Sequence, residues 1–394
     1  MWTLFKIINL WWLLTSTFAW PMLALPLMPL LVLTNAGMLI SMSFLPIRFK
    51  IDAKSGWVLL AILGVTLWSM WLDGWSAGLM TAMQYLPALY LMQLPYEYLK
   101  DLLKFTTKWY AILLIPALLL YWLLLFTTLP SAGTFTHSDY PPYTNYIFYI
   151  KTTENRGLFE RFNAFFLEPG HQAILDTFLI VANRFNFKKC PWLFVLVLGV
   201  IFSFSLAGYL LSAIGFILLK VNSLMKFLAV AASITAISVG AYLWSGGDNA
   251  LNELIISRME RDESGGIKGN NRFFNNTDYE YDKAIGTKYF WIGVKTKANM
   301  ALIGGAGYKI YILYYGMIGT ILAFLLYLSL IPSRPDYRYT ISFFILIVLC
   351  FLQRAYPFWY SWLFPFVAGI YIAKDEKDRE TTTGTVLNQK YIAQ

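Results

Sequence analysis

The chain is poor in charge: only 13% of its 394 residues are Asp, Glu, Lys or Arg, about half the share of a soluble domain. Set against 58% hydrophobic residues, 18% aromatic residues and a mean hydropathy of +0.54, that deficit excludes a soluble globule, a soluble repeat solenoid and a disordered chain. Cysteine is scarcer still. Cys190 and Cys350 cannot form a disulfide framework, and both sit in or beside apolar stretches, as small buried hydrophobes do. Histidine also numbers two, His137 and His171, far apart in sequence. No metal-ligand spacing is legible, so neither a metal nor a cofactor is expected. There is no internal repeat of the kind secondary transporters usually carry.

What the chain has in abundance is long apolar runs. A spanning helix needs about 20 such residues. Runs of this kind predict about twelve helices, near 4–20, 21–45, 56–72, 77–94, 108–129, 168–186, 191–206, 207–220, 224–244, 306–331, 339–353 and 357–373. The first is a retained helix, because Trp11, Trp12 and Trp20 crowd it and hydrophobicity continues past Pro21 with no small-residue cleavage site. The expected fold class is therefore an all-α polytopic membrane protein, with residues 1–394 forming a single integral membrane domain.

An even number of spans puts both termini on one side, and the basic residues say which. Of the 31 Lys and Arg, 18 fall on the terminal side and 13 on the other, while the 22 acids divide 8 to 14. Every short loop on the terminal side is basic, as the positive-inside rule demands of cytoplasmic loops. The net charge of +9 thus comes from inner loops and calls for no nucleic acid. Two long polar segments, 130–167 and 245–305, then lie outside as ordered loops, and 374–394 is a cytoplasmic tail. The first loop sets Pro141 and Pro142 among Tyr140, Tyr143, Tyr146 and Tyr149, a run suited to a membrane interface or to stacking on sugar rings. In the second, Leu251, Leu254, Ile255 and Met259 recur at helical spacing, so an amphipathic helix over 251–263 displays Arg258 and Arg261 together.

The stretch 161-RFNAFFLEPGHQAILD-176 concentrates the chemistry. Pro169 suits the first turn of a helix. From there Glu168, Gln172 and Asp176 are spaced by four and His171 follows Glu168 by three, so the four share one face. Asp176 then lies roughly 12 Å deeper than Glu168. Ionisable groups at that depth normally line a polar cavity, here one opening to the outer side. Basic residues kept outside run against the topological bias, and an anionic ligand gives Arg156, Arg161, Arg258, Arg261, Arg272 and Arg354 a common reason, since guanidinium forks hold phosphate oxygens in pairs. A second junction, 299-NMALIGGAGYKIYILYYGMIGTI-321, reads as a flexible loop at Gly304, Gly305 and Gly307, followed by close helix packing at Gly316 and Gly319.

Together these residues resemble the O-antigen polymerase and O-antigen ligase superfamily, membrane glycosyltransferases with a GT-C-like architecture. The likeness rests on RFNAFFLEPGH at 161–171, FSFSLAGYL at 202–210, the arginine-bearing loop 245–305 and the GGAGYK and YYGMIG blocks within 304–319. It implies an enzyme of the bacterial inner membrane that uses an undecaprenyl-diphosphate-linked oligosaccharide on the periplasmic face, with flippase and chain-length regulator proteins as partners. By the same resemblance Arg161 matches the arginine ahead of the Phe-rich Glu-Pro block, and Arg258 and Arg272 stand as second-loop arginines; with Arg354 they form the expected diphosphate site. His171 or Glu168 is the expected base, and Arg161, His171 and Glu168 the catalytic set. Ligases of the superfamily carry a histidine ahead of the helix-packing glycines, where this chain has Gly305, and that difference favours a polymerase over a ligase. A lipid-linked oligosaccharide transporter is the alternative from another class.

Overall fold

The structure, a computed structural model, describes residues 1–17, 19, 26–47, 52–136, 142–152, 161–221, 223, 225, 273–275, 277–294, 303–305 and 307–392. Within them the chain is a helical membrane protein. Helices occupy eleven of the twelve apolar segments: α1 (Trp2–Ser16), α2 (Leu27–Ser43), α3 (Ala53–Asp73), α4 (Trp75–Gln93), α5 (Tyr96–Phe126), α6 (Pro169–Ala182), α7 (Leu193–Phe202), α8 (Leu206–Lys220) and, beyond two short helices α9 (Thr277–Ala284) and α10 (Lys288–Ile292), α11 (Tyr308–Ser329), α12 (Tyr337–Gln353) and α13 (Tyr360–Ile392). Apart from Met225, the segment near 224–244 lies outside the described residues, as does the amphipathic stretch 251–263. By length and composition α3, α5 and α11 are long and apolar enough to cross a membrane. Their outward faces carry exposed apolar side chains such as Leu59, Leu63, Leu119, Leu123, Ile321 and Leu325, which a lipid environment solvates and water does not.

The long polar segments 130–167 and 245–305 are less purely helical than the fold class implies. The first carries a three-stranded antiparallel sheet, β1 (Thr134–Phe135), β2 (Tyr143–Asn145) and β3 (Ile150–Thr152), in that order. The second pairs β4 (Phe273–Asn275) with β5 (Ile303–Gly305), Phe273 opposite Gly305. Gly304 and Gly305, expected in a flexible loop, therefore sit in a strand. Tyr143 and Tyr149 also depart from expectation. Both are buried: Tyr143 donates its hydroxyl to the Leu167 carbonyl at 2.6 Å, and Tyr149 stacks on Phe162. They are packing residues.

Two helices overrun their apolar runs, each for its own reason. α5 begins at Tyr96 and absorbs Lys100, Lys104 and Lys108, because Leu99, Leu102, Leu103, Thr106 and Tyr110 keep a buried stripe at helical spacing through the polar turns. α13 runs on through the expected tail to Ile392. Ion pairs from Glu376 to Arg184 and from Arg379 to Glu97, both at 2.9 Å, hold its charged extension against the helix ends. These contacts, with Lys6 on Asp101 at 3.0 Å and Arg338 on the Leu218 carbonyl, gather at one basic end of the bundle. The starts of α4, α6 and α11 and the ends of α1, α3 and α12 lie at the other.

At the centre is α6, buried from Gly170 to Ala182 and packed on α7, α8 and α13. A second buried junction ties three helices: Asn9 of α1 donates to the Thr106 hydroxyl of α5 at 3.0 Å and accepts from the Tyr360 hydroxyl of α13 at 2.5 Å. Asn9 is fully buried, so Asn9→Ala strands both hydroxyls. It is expected to cost about 1–3 kcal/mol, read as a lowered melting temperature of the detergent-solubilised protein.

Candidate active site

The segment leading into α6 is a packed strap. Phe162 donates its backbone N–H to the Phe202 carbonyl at 2.9 Å, Ile150 donates to Ala164, and Asn163 closes a turn on the Phe166 carbonyl. Residues 162–167 are all buried, with Phe165 and Phe166 against Tyr110. Arg161, at the head of the strap, is half-buried and donates Nε to the Ser203 carbonyl at 3.2 Å, its charge felt by the Tyr209 phenol. This anchors it at the α7–α8 junction.

The strap delivers Glu168 as the N-cap of α6, in extended conformation, with Pro169 supplying the first helical residue. The Glu168 side chain does not cap its own helix. It accepts instead from Nη2 of Arg354, the residue that closes α12, far off in sequence. Gly170 makes room for this: a Cβ there falls 2.7 Å from Nη2 and 2.9 Å from Nε of the guanidinium. His171 Nε2 lies 3.9 Å from the other Glu168 oxygen, an ion pair only when the imidazole is protonated. The imidazole is walled by Trp359, edge-on at 4.7 Å, and by Tyr356, which stacks on Trp359 at 4.2 Å. Exposure ranks the members: Arg354 and His171 are each 2% exposed, and Glu168 25%. Arg354 thus stands behind Glu168, and Glu168 is the most exposed of the three.

The polar face expected on α6 divides. Glu168 and His171 turn toward 354–359, whereas Gln172 donates to Asp176 and the pair presses on Gly199 of α7, with the Tyr110 hydroxyl beside the carboxylate. Gln172 and Asp176 are fully buried. Among the described residues no outward cavity runs down this face; Asp176 is a structural polar group held by neighbours on α5 and α6.

A cavity of about 330 Å³ does open at the same end of the bundle, between α1, α3, α4 and α11, with Trp359 in its wall. Its polar lining includes Asp73 at the end of α3 and Gln84 on α4. Sequence reading missed both. Asp73 closes an apolar run beside Trp71 and Trp75, and a lone acid there reads as the start of a loop; only the turn at Gly74, with φ 86°, folds α4 back so that it faces inward.

No family model, curated protein or solved structure matches the chain. The site is therefore read from its own chemistry. Among the described residues no three His, Cys, Asp or Glu side chains group as metal ligands. Burial pushes the Cys190 thiol up, which keeps it protonated and a poor nucleophile. Arg258, Arg272 and His137 lie outside the described residues. The structure brings Glu168, His171 and Arg354 together and sets Arg161 on a neighbouring junction.

Proposed function

We propose that the chain is a polymerase of the O-antigen polymerase type, a membrane glycosyltransferase of about twelve spans and GT-C-like architecture. It transfers a growing O-antigen, capsule or exopolysaccharide chain from undecaprenyl diphosphate onto an incoming lipid-linked repeat unit, at the periplasmic face of the bacterial inner membrane. The observation that carries the reading is the Glu168, His171 and Arg354 cluster, closed by residues distant in sequence at the end of the bundle opposite the basic loops. The positive-inside rule makes that end periplasmic.

The reaction is a displacement at the anomeric carbon. The acceptor hydroxyl forms the new C–O bond and loses its proton, and the bond to the diphosphate oxygen breaks with its electron pair. A base and fixed positive charge are what the protein must supply. Access favours Glu168 as the group that takes the proton, with His171 behind it to share the charge and Arg354 to orient the carboxylate. Arg161, with Arg258 and Arg272 of the second loop, offsets the charge of the departing diphosphate.

Arg161→Ala is expected to slow glycan extension about 10²-fold, the usual cost of one charge-stabilising donor. His171→Ala is expected to reduce it as well, with membrane levels of both variants unchanged. Complementation of a deletion strain, read on a glycan ladder gel, checks both. Long polymer should collapse to a single repeat; if both variants keep the full ladder, the proposal fails.

A further inference from the structure

We infer that the cavity between α1, α3, α4 and α11 is a binding site for an uncharged, hydroxyl-rich sugar ring, held by Asp73 and Gln84 against an aromatic wall. In the proposed reaction that ring belongs to the acceptor. This last step rests on the glycosyltransferase reading, whereas the sugar site itself rests only on the cavity.

The lining specifies the ligand. Trp68, Tyr85, Tyr311, Tyr315 and Trp359 supply aromatic surface, which suits the C–H faces of a pyranose. Among the described lining residues Asp73 is the only carboxylate, and none is Lys or Arg. A phosphate or a uronic acid placed here meets a like charge with nothing to offset it. A hydroxyl, by contrast, donates to a carboxylate in one of the stronger hydrogen bonds available. Among the described residues Asp73 and Gln84 take no hydrogen bond or ion pair from the protein, while the Ser69 and Thr81 hydroxyls in the same wall bond to each other at 2.9 Å. The polar groups left to a ligand thus include one carboxylate, one amide and the Ser76 hydroxyl. A volume of about 330 Å³ lies at the small end of the range for small-molecule sites. An acyl chain fills such a space poorly, because it leaves these polar groups unsatisfied.

Position ties the cavity to the cluster. Trp359 lines the cavity and meets the His171 ring edge-on. The helix break at Gly316 frees the Tyr315 carbonyl, which accepts from Trp68 Nε1 at 2.7 Å and so fixes both aromatic walls. The Arg161 junction proposed for the donor diphosphate and the Asp73 cavity proposed for the acceptor ring are thus separate places.

The test uses the full chain in lipid nanodiscs, titrated with a panel of neutral hexose and N-acetylhexosamine disaccharides and, in parallel, with hexose phosphates, followed by tryptophan fluorescence. Neutral disaccharide should bind, any hexose phosphate binding should be independent of Asp73, and Asp73→Asn and Gln84→Met should each weaken disaccharide binding about tenfold or more, with unchanged melting temperature. The inference is overturned if no neutral sugar binds, if phosphate competes with the disaccharide for the Asp73-dependent site, or if both variants bind as wild type does. Extension assays separate the two readings. Polymerisation by wild type with an unaltered acceptor KM in Asp73→Asn sinks the acceptor role and leaves the polymerase standing. Sugar binding that depends on Asp73, in a protein that never extends lipid-linked glycan, supports the site and ends the polymerase reading.

Discussion

Glu168→Ala is expected to stop polymer synthesis and to destabilise the protein by about 3–5 kcal/mol, more than the loss of its partner Arg354 does. The asymmetry follows from burial. Removing Glu168 leaves the Arg354 guanidinium, 2% exposed, without its carboxylate in a low-dielectric setting. Removing Arg354 leaves Glu168, whose side chain is 25% exposed and can draw on water. Arg354→Met should therefore melt between wild type and Glu168→Ala, and the double variant Glu168→Ala/Arg354→Met should recover stability, since replacing both charges by apolar groups removes the desolvation cost along with the pair. None of the three should recover activity. Arg354→Lys is informative beside them: it keeps the charge but loses the planar fork, and should preserve stability better than orientation of Glu168. A set of thermal melts with a parallel glycan ladder decides. A double variant no more stable than Glu168→Ala shows that the pair is not what holds α12 against the start of α6.

The same pair marks where sequence reading stops. Spacing along one helix was enough to place His171 beside Glu168, because neighbours three apart share a face whatever the tertiary fold. It misassigned Gln172 and Asp176 for a related reason. The face they share with Glu168 is wide, and the packing of α5, α7 and α13 around a fully buried helix splits it into two environments. Arg354 was legible as a basic residue on the outer side but not as the partner of Glu168, since nothing local connects residues so far apart. The helix starts show a similar division. Apolar runs located the cores of the helices, while the true start of α5 and the extension of α13 depend on amphipathic periodicity and ion pairs to other helices, which a hydropathy window averages away. Asp73 and Gln84 escaped notice because a cavity wall is assembled from helices that are separate in sequence, and each residue alone resembles a polar helix end.

Gly316→Ala is expected to be among the most damaging single-methyl changes in the chain, with a cost at or above the upper end of the roughly 1–3 kcal/mol typical of one strained backbone position. The sequence presents Gly316 as half of a helix-packing pair with Gly319. In the fold it has a different role, because its φ of 69° and ψ of 173° interrupt α11, a conformation open to glycine and closed to L-residues with a Cβ. The break lets a second glycine, Gly293 with φ 78°, come against it, backbone on backbone, and a Cβ on Gly316 would collide with the Trp291 carbonyl and the Gly293 nitrogen. Neither atom belongs to a side chain that can swing aside. The Val294 N–H closes the junction on the Leu313 carbonyl at 2.8 Å, so α10 is docked on α11 through main chain, while α9 is held to it by the Lys309–Asp278 ion pair. Because the freed Tyr315 carbonyl is the acceptor for Trp68, loss of the break also disturbs the cavity wall. Gly64→Ala is the contrast. Gly64 lies within α3 at ordinary helical φ, and an added Cβ meets only a Leu322 methyl at 3.5 Å, so the change should be neutral or stabilising by up to about 1 kcal/mol through helix propensity. Comparing the two melts, with proteolysis of the 277–294 region as a local probe, gives the result: Gly316→Ala should melt lower and expose that region to cleavage, and Gly64→Ala should do neither. Equal melts mean that Gly316 is a packing glycine after all and that the break in α11 does not hold α9 and α10 in place.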